Sequence, residues 1–158
     1  MPQNCQYLLL GSFVGRQKYE WFYDNGRNQF WGILEAVYGL KLETKEKQQA
    51  LCARLGLAVA DIILACERKE NNNKDNNLVK IVFNTQAITE IIKKKKIRKI
   101  FFSSKFAEKL FRKQFKGVMV EYPEIELVTL PSPSPRYARM SRAEKVRKYK
   151  ELLPDKII

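Results

Sequence analysis

Short apolar runs alternate along this chain with longer stretches in which apolar residues recur every three or four positions. Residues 7–10 form an uninterrupted apolar run stopped by Gly11, which predicts a short buried strand. From 28 to 38, Phe30, Trp31, Leu34, Val37 and Tyr38 fall at helical spacing, with Gly39 placed as the stop. Residues 44–57 read as a second helix with Thr44 as its N-cap. The apolar stretch 58–64 fits a strand or a helix end equally well. Residues 69–77 are a polar, Asn-rich loop. Asn84 is expected to cap a helix carrying Ile88, Ile91 and Ile92 on one face. Residues 97–102 read as a strand and Ser103-Ser104 as a turn. Ser104 is then the expected cap of a helix turning Phe106, Leu110, Phe111 and Phe115 inward. Residues 125–130 are the last strand, and Ser141 with Glu144 forms a capping box for the last helix.

Strands alternating with helices predict an α/β fold, a small parallel sheet with helices on both faces. The 158 residues are expected to form one domain. In such sheets ligands bind beyond the carboxyl ends of the strands. Three segments then meet there: 11–28, 103–104 and 131–140.

Charge adds a second layer to this picture. The net charge of +13 is carried almost entirely by the second half of the chain. Residues 1–92 hold 11 basic and 10 acidic side chains, whereas residues 93–158 hold 19 and 7. That asymmetry is the electrostatic footprint of a polyanion partner, against the plainer reading of a solvated Lys-rich face. No apolar stretch approaches the length of a membrane span, and the N-terminus lacks the order of a signal peptide, so a cytoplasmic protein without a membrane partner is expected. Cys5, Cys52 and Cys66 are too widely spaced for a metal-site signature and read as reduced thiols. The chain has no histidine, which excludes Ser-His and Cys-His nucleophiles and His-based metal sites. No metal and no cofactor is implied.

Any catalysis must then run on carboxylates, amides, hydroxyls, lysines or backbone dipoles. Tyr23 offers a flat face for a base, or is simply a core aromatic. Asn28 carries both donor and acceptor and can read a base edge or orient a water, and it can also cap the helix it precedes. The loop 131–140 has prolines at 131, 133 and 135, which stiffen it. Ser132 and Ser134 can bond phosphate oxygens, Arg136 and Arg139 can neutralise them, and Tyr137 or Met140 can wedge into a base stack. The plainer reading of this loop is a surface linker.

Several motifs, in order along the chain, resemble one family. Gly11-Ser12-Phe13-Val14-Gly15 resembles the Gly-Ser-x-Pro-Gly motif of the hypoxanthine-DNA glycosylase branch of the uracil-DNA glycosylase superfamily. The run 23–31 resembles its Tyr-Tyr-Ala-His-Pro-Arg-Asn-x-Phe-Trp motif. Gly56, Ala58, Asp61, Cys66 and Arg68 match its Gly-Ile-Ala-x-x-Asp-Val…Cys-x-Arg stretch. Residues 100–112 resemble its Val-Phe-Phe-Asn-Gly-x-x-Ala-x-x-Leu-Phe-x-Arg, and 130–135 its Leu-Pro-Ser-x-Ser-Pro. Val14, Asn25-Gly26 and Ser103-Ser104 stand where the family pattern has Pro, His-Pro and Asn-Gly.

The resemblance implies a three-layer α/β/α fold with a central four-stranded parallel sheet. It places the branch's catalytic Asn on Asn28 and the base-stacking aromatic on Tyr23. Gly11, Ser12, Phe13 and Ser103 fall in the base pocket, and Pro131, Ser132, Ser134, Arg136, Tyr137 and Arg139 fall in the motif that grips and enters DNA. The implied activity is monofunctional excision of a deaminated base, uracil or hypoxanthine, from damaged duplex or single-stranded DNA by a monomer. A rival reading is a nucleic-acid-binding module that keeps the fold without the chemistry. A third, an enzyme on a small nucleotide, leaves the basic half unexplained.

Overall fold

The computed structural model describes residues 1–13, 21–23, 27–68 and 78–155. The expected loop 69–77 and the motif positions Val14, Gly15, Asn25 and Gly26 lie outside them. Four strands, β1 (Tyr7–Gly11), β2 (Leu57–Asp61), β5 (Lys99–Phe102) and β6 (Glu126–Thr129), make an all-parallel sheet in the order β2-β1-β5-β6. This is the expected α/β class with its four-stranded parallel sheet.

The two-residue period of β1 sorts the core. Leu8 and Leu10 pack with Ala58, Ala60, Ile100 and Phe102 in one cluster, and Leu9 packs with Leu57 and Phe101 in the other. Helices α3 (Thr85–Lys94) and α4 (Lys105–Gln114) cover the first cluster through Ile88, Ile92, Ala107 and Phe111. Helices α1 (Phe30–Tyr38), α2 (Lys45–Leu55) and α6 (Arg142–Leu152) cover the second through Phe30, Leu34, Leu51, Leu55 and Tyr149. Both faces of the sheet are therefore buried, as a parallel sheet requires.

Helix ends follow the local chemistry. Thr44, Ser104 and Ser141 accept hydrogen bonds from the backbone N–H of Lys47, Ala107 and Glu144 at 3.3, 3.1 and 3.2 Å. Gly39 ends α1 at φ 64°. The second helix stops two residues short of expectation. Gly56 at φ 66° ends α2, Leu57 starts β2, and a Cβ at 56 would lie 2.7 Å from the Asn4 carbonyl. Phe106 is only half-buried, because the inward stripe of α4 runs through Ala107 and Phe111.

The ambiguous stretch 58–64 is two strands of two sheets. Ile62 N–H donates to the Gly11 carbonyl at 2.8 Å and Ile63 N–H to the Ser12 carbonyl at 2.9 Å, which turns the chain out of β2. It continues into an antiparallel hairpin of β3 (Ile63–Arg68) and β4 (Leu78–Phe83). The second arm of that hairpin, a β-branched apolar run, and the short helix α5 (Lys116–Glu121) were not among the expected elements. Asn84 is at the N-cap position of α3 but makes no cap bond with its side chain. Its Nδ2 donates instead to the Asp61 carbonyl at 3.1 Å. Among the described residues no helix is long and apolar enough to cross a membrane.

Candidate functional site

The carboxyl ends of the parallel strands bring together residues from three consecutive positions in the sheet. Gly11 ends β1, its register partner Asp61 ends β2, and Ser103 follows β5, its N–H donating to the Leu10 carbonyl at 3.0 Å. A Cβ at Gly11 would lie 2.5 Å from Asp61 Oδ1, 2.8 Å from the Tyr23 hydroxyl and 3.6 Å from Ser103 Oγ. Only glycine leaves room for these groups to close over the strand end. Ser103 is 6% exposed, and Asp61 and Tyr23 are half-buried.

Tyr23 is held in an uncommon conformation. Its φ is 58°, a region that bulky residues rarely enter. The neighbouring Phe22 carbonyl accepts the Trp31 indole N–H at 2.7 Å, and the Tyr23 ring packs 4.3 Å from the Phe30 ring. The result aims the hydroxyl at Gly11. That hydroxyl is buried beside the Ser103 hydroxyl, without a hydrogen bond of full geometry to it. Tyr23 therefore places a donor in the site while one face of its ring serves the core.

Burial pushes the Asp61 carboxyl up to about 7. The Tyr23 phenol is raised by burial and then by the Asp61 charge, with the Ser103 hydroxyl pulling the other way. Ser12 and Phe13 follow directly on Gly11 and are half-buried. Asp61 was not among the expected site residues, although it interrupts the apolar run 57–63 and falls on the acid of the third motif of the family resemblance.

Asn28 sits at the start of α1. Its Oδ1 accepts the Phe30 N–H at 2.9 Å, so it does the capping that Gln29, at the N-cap position, does not. The amide Nδ2 and the second lone pair of Oδ1 remain for a ligand.

The loop 131–140 is stitched to this turn. Gln29 N–H donates to the Pro133 carbonyl at 2.9 Å. The Tyr149 hydroxyl donates to the Pro131 carbonyl at 2.7 Å. Ser132 Oγ and Ser134 Oγ accept the N–H groups of Ser134 and Arg136, both at 3.3 Å, and each hydroxyl keeps its own hydrogen to donate. Arg136 and Arg139 are exposed, and Tyr137 and Met140 half-buried.

One residue not expected to matter joins the two segments. Lys145, 1% exposed, donates to Gln29 Oε1 at 3.0 Å and to the Ser134 carbonyl at 3.1 Å. Its ammonium also lies 5.6 Å from the Tyr137 ring centroid. Burial lowers its pKa. The sequence hides Lys145 in a basic run, and only its i,i+4 spacing to the buried Tyr149 marks it as inward-facing. Nearby, the Arg142 guanidinium lies over Gly32, where a side chain would meet it.

The expected residues thus fall into two groups of contacts. Gly11, Tyr23 and Ser103 meet at the strand ends with Asp61, and Asn28 meets the loop 131–140 through Gln29 and Lys145. The Tyr23 ring, tilted 34° against that of Phe30, connects the first group to the helix that begins beside Asn28. Among the described residues no three Cys, Asp or Glu side chains are grouped to hold a metal ion. Comparison with protein-family models and with curated proteins finds no match for this chain.

Proposed function

We propose that this protein is a DNA N-glycosylase of the uracil-DNA glycosylase superfamily, excising a deaminated base, uracil or hypoxanthine, from DNA. The observation that carries the reading is the coupling of Asn28 to the stiff, basic loop 131–140 through Gln29 and Lys145, beside a polar cluster at the carboxyl ends of a parallel sheet. The fold implied is a three-layer α/β/α sandwich, supported by the two core clusters on opposite faces of the sheet. The protein acts as a cytoplasmic monomer on DNA.

In this reading the loop grips the backbone with Ser132, Ser134, Arg136 and Arg139, and the damaged nucleotide turns out of the stack toward Gly11. The C1′–N bond breaks with its electron pair going to the base. The oxygen of water bonds to C1′, and a proton from that water ends on the base. Asn28 orients the water or bonds the departing base, and neutral donors suit the negative charge that develops there.

A binding module without the chemistry is the second reading, favoured by the engagement of Asn28 Oδ1 with its own helix. An alkali-developed scission assay separates the two. It uses labelled oligonucleotides, single- and double-stranded, each carrying one deoxyuridine, deoxyinosine or deoxyxanthosine, with Asn28→Ala alongside. Scission by the parent and not by the variant is the expected result. Salt-sensitive DNA binding without scission on any substrate would overturn the glycosylase in favour of the module.

A further inference from the structure

We infer that this protein carries a second surface for a nucleic-acid backbone, at the amino ends of the parallel strands, on the edge opposite the loop 131–140. The inference rests on the nucleic-acid partner of the preceding reading and not on its chemistry.

The fold divides the basic half of the chain. Helices α3 and α4 both start at the carboxyl ends of the strands. Asn84, before α3, donates its N–H to the Ile62 carbonyl at 2.7 Å, and Ser104, before α4, stands just beyond β5. Each helix is 10 residues long and runs about 15 Å back across one face of the sheet to its amino edge. Their last turns bring Lys93 and Lys94, and Arg112 and Lys113, to that edge. Arg98 is pinned there by two backbone bonds. Its N–H donates to the Gln6 carbonyl at 2.8 Å, before β1, and its carbonyl accepts the N–H of Glu126, which opens β6, at 3.0 Å.

The charges at this edge do not balance. Residues 90–126 hold 11 basic and 5 acidic side chains. Glu90, Glu108 and Glu126 are matched one to one by Lys94, Arg112 and Lys99, at 3.6, 2.8 and 3.4 Å. Lys93, Lys96, Arg98, Lys113 and Lys116 are exposed and enter no ion pair among the described residues. The dipoles of α3 and α4 account for Lys93 and Lys113, in their last turns. They do not account for Lys96 and Arg98, beyond the end of α3, or for Lys116, which starts α5, where a dipole disfavours a cation. Such an array suits a phosphate backbone, with one charge per about 1.7 Å of duplex. A bilayer suits it less, because Val120, the exposed apolar side chain of α5, is followed by the exposed Glu121 and Glu124.

Arg136 and Arg139 lie past the carboxyl end of β6. The strands, about 15 Å long, therefore separate the two surfaces and point them in opposite directions. One straight duplex does not reach both. Two segments do, and a protein that takes a second segment before releasing the first passes between duplexes without a free step.

The test is bridging. One duplex is held on beads through biotin, and a second, fluorescent and of unrelated sequence, is added with the full chain. Neither carries a modified base, so excision does not enter. The parent should retain the fluorescent duplex on the beads and release it as salt rises. Lys96→Gln with Arg98→Gln, Lys113→Gln and Lys116→Gln changes exposed side chains only, and its melting temperature should match the parent's. This variant should take up one duplex in solution within about threefold of the parent, yet retain about tenfold less of the fluorescent duplex on the beads. Arg136→Ala with Arg139→Ala should fail to bridge in the same way, and an equimolar mixture of the two variants should not restore bridging. Restoration by the mixture would place the two grips on different copies and overturn the inference. So would bridging by the four-residue variant at the parent's level, or none by the parent. Loss of binding to phosphatidylserine vesicles in a variant that still bridges would assign the edge to a membrane instead. A parent that bridges through this edge but cuts no substrate would keep the surface and lose only the glycosylase. A parent that cuts and does not bridge would do the opposite.

Discussion

Lys145 donates to the side-chain oxygen of Gln29 at 3.0 Å from a position 116 residues further along the chain. The same ammonium holds the Ser134 carbonyl, so one buried cation fixes the distance between the turn at Asn28 and the loop 131–140. Lys145→Met keeps the length of the side chain and removes both bonds. Leaving two buried acceptors short of a donor is expected to cost about 1–3 kcal/mol in urea denaturation. DNA affinity should fall with it, and Lys145→Arg, with more donors than the space accommodates, should not restore the parent. A denaturation midpoint unchanged in Lys145→Met would show that the two segments hold together without it.

Asn28 carries two separable duties. Asn28→Ala loses the bond to the Phe30 N–H, which is expected to cost about 1 kcal/mol of stability, and loses scission with it. Asn28→Asp keeps a capping oxygen at the start of α1, where a negative charge is also favourable, but has no Nδ2. Its thermal stability should match or exceed the parent's while scission is lost. Full activity in Asn28→Asp would assign the catalytic duty elsewhere.

Arg136 and Arg139 are exposed and enter no ion pair among the described residues. The double replacement Arg136→Ala with Arg139→Ala should leave the melting temperature within a degree or two. The slope of log affinity against log salt on duplex DNA should flatten by about two units. A slope equal to the parent's would move the phosphate contacts to another face, with the run 93–96 as the next place to look.

The Asp61 carboxyl makes stability depend on pH in a known direction. Its pKa is raised from 3.8 to about 7, so the folded state holds the proton more tightly than the unfolded chain. The stability this contributes is complete below about pH 4 and is lost as pH rises through 7. The ceiling for that loss is about 4 kcal/mol, and water reaching a half-buried carboxyl brings it lower. Asp61→Asn has no such proton to lose. It should melt several degrees above the parent at pH 8 and lose that advantage at pH 4. A difference in melting temperature that is the same at both pH values would mean that the carboxyl does not titrate near neutrality.

Three strands of the parallel sheet were legible as short apolar runs, two of them stopped by Gly11 and the Ser103-Ser104 turn, while β2 stayed ambiguous behind a helix expected to run past Gly56; the helix starts were legible because Thr44, Ser104 and Ser141 are good caps. The hairpin was not. Its first arm continues β2 with a single residue between, so apolar periodicity reads one element where hydrogen bonding makes two. Asn84 misled for a related reason: an amide at a helix start reads as a cap, and here it is claimed by Asp61 from another strand. Asn28, the loop serines and Tyr23 announce their chemistry by type and spacing. Asp61 and Lys145 are fainter: a motif position marks the one and an i,i+4 spacing to Tyr149 the other, but which strand end and which neighbours they meet is set by the fold and not by the local pattern.

The acceptors around Lys145 are an amide oxygen, a carbonyl and a ring, all of them uncharged. Dissolved ions compete well for exposed arginines and poorly for an ammonium enclosed by neutral groups. The two basic populations of this surface therefore answer differently to the medium. If the exposed arginines grip a phosphate backbone as proposed, rising ionic strength would strip that grip and leave the spacing of Asn28 and the proline loop as it was. On the proposed reading the protein would let go of DNA without losing its shape, and each new encounter would begin with the site already assembled.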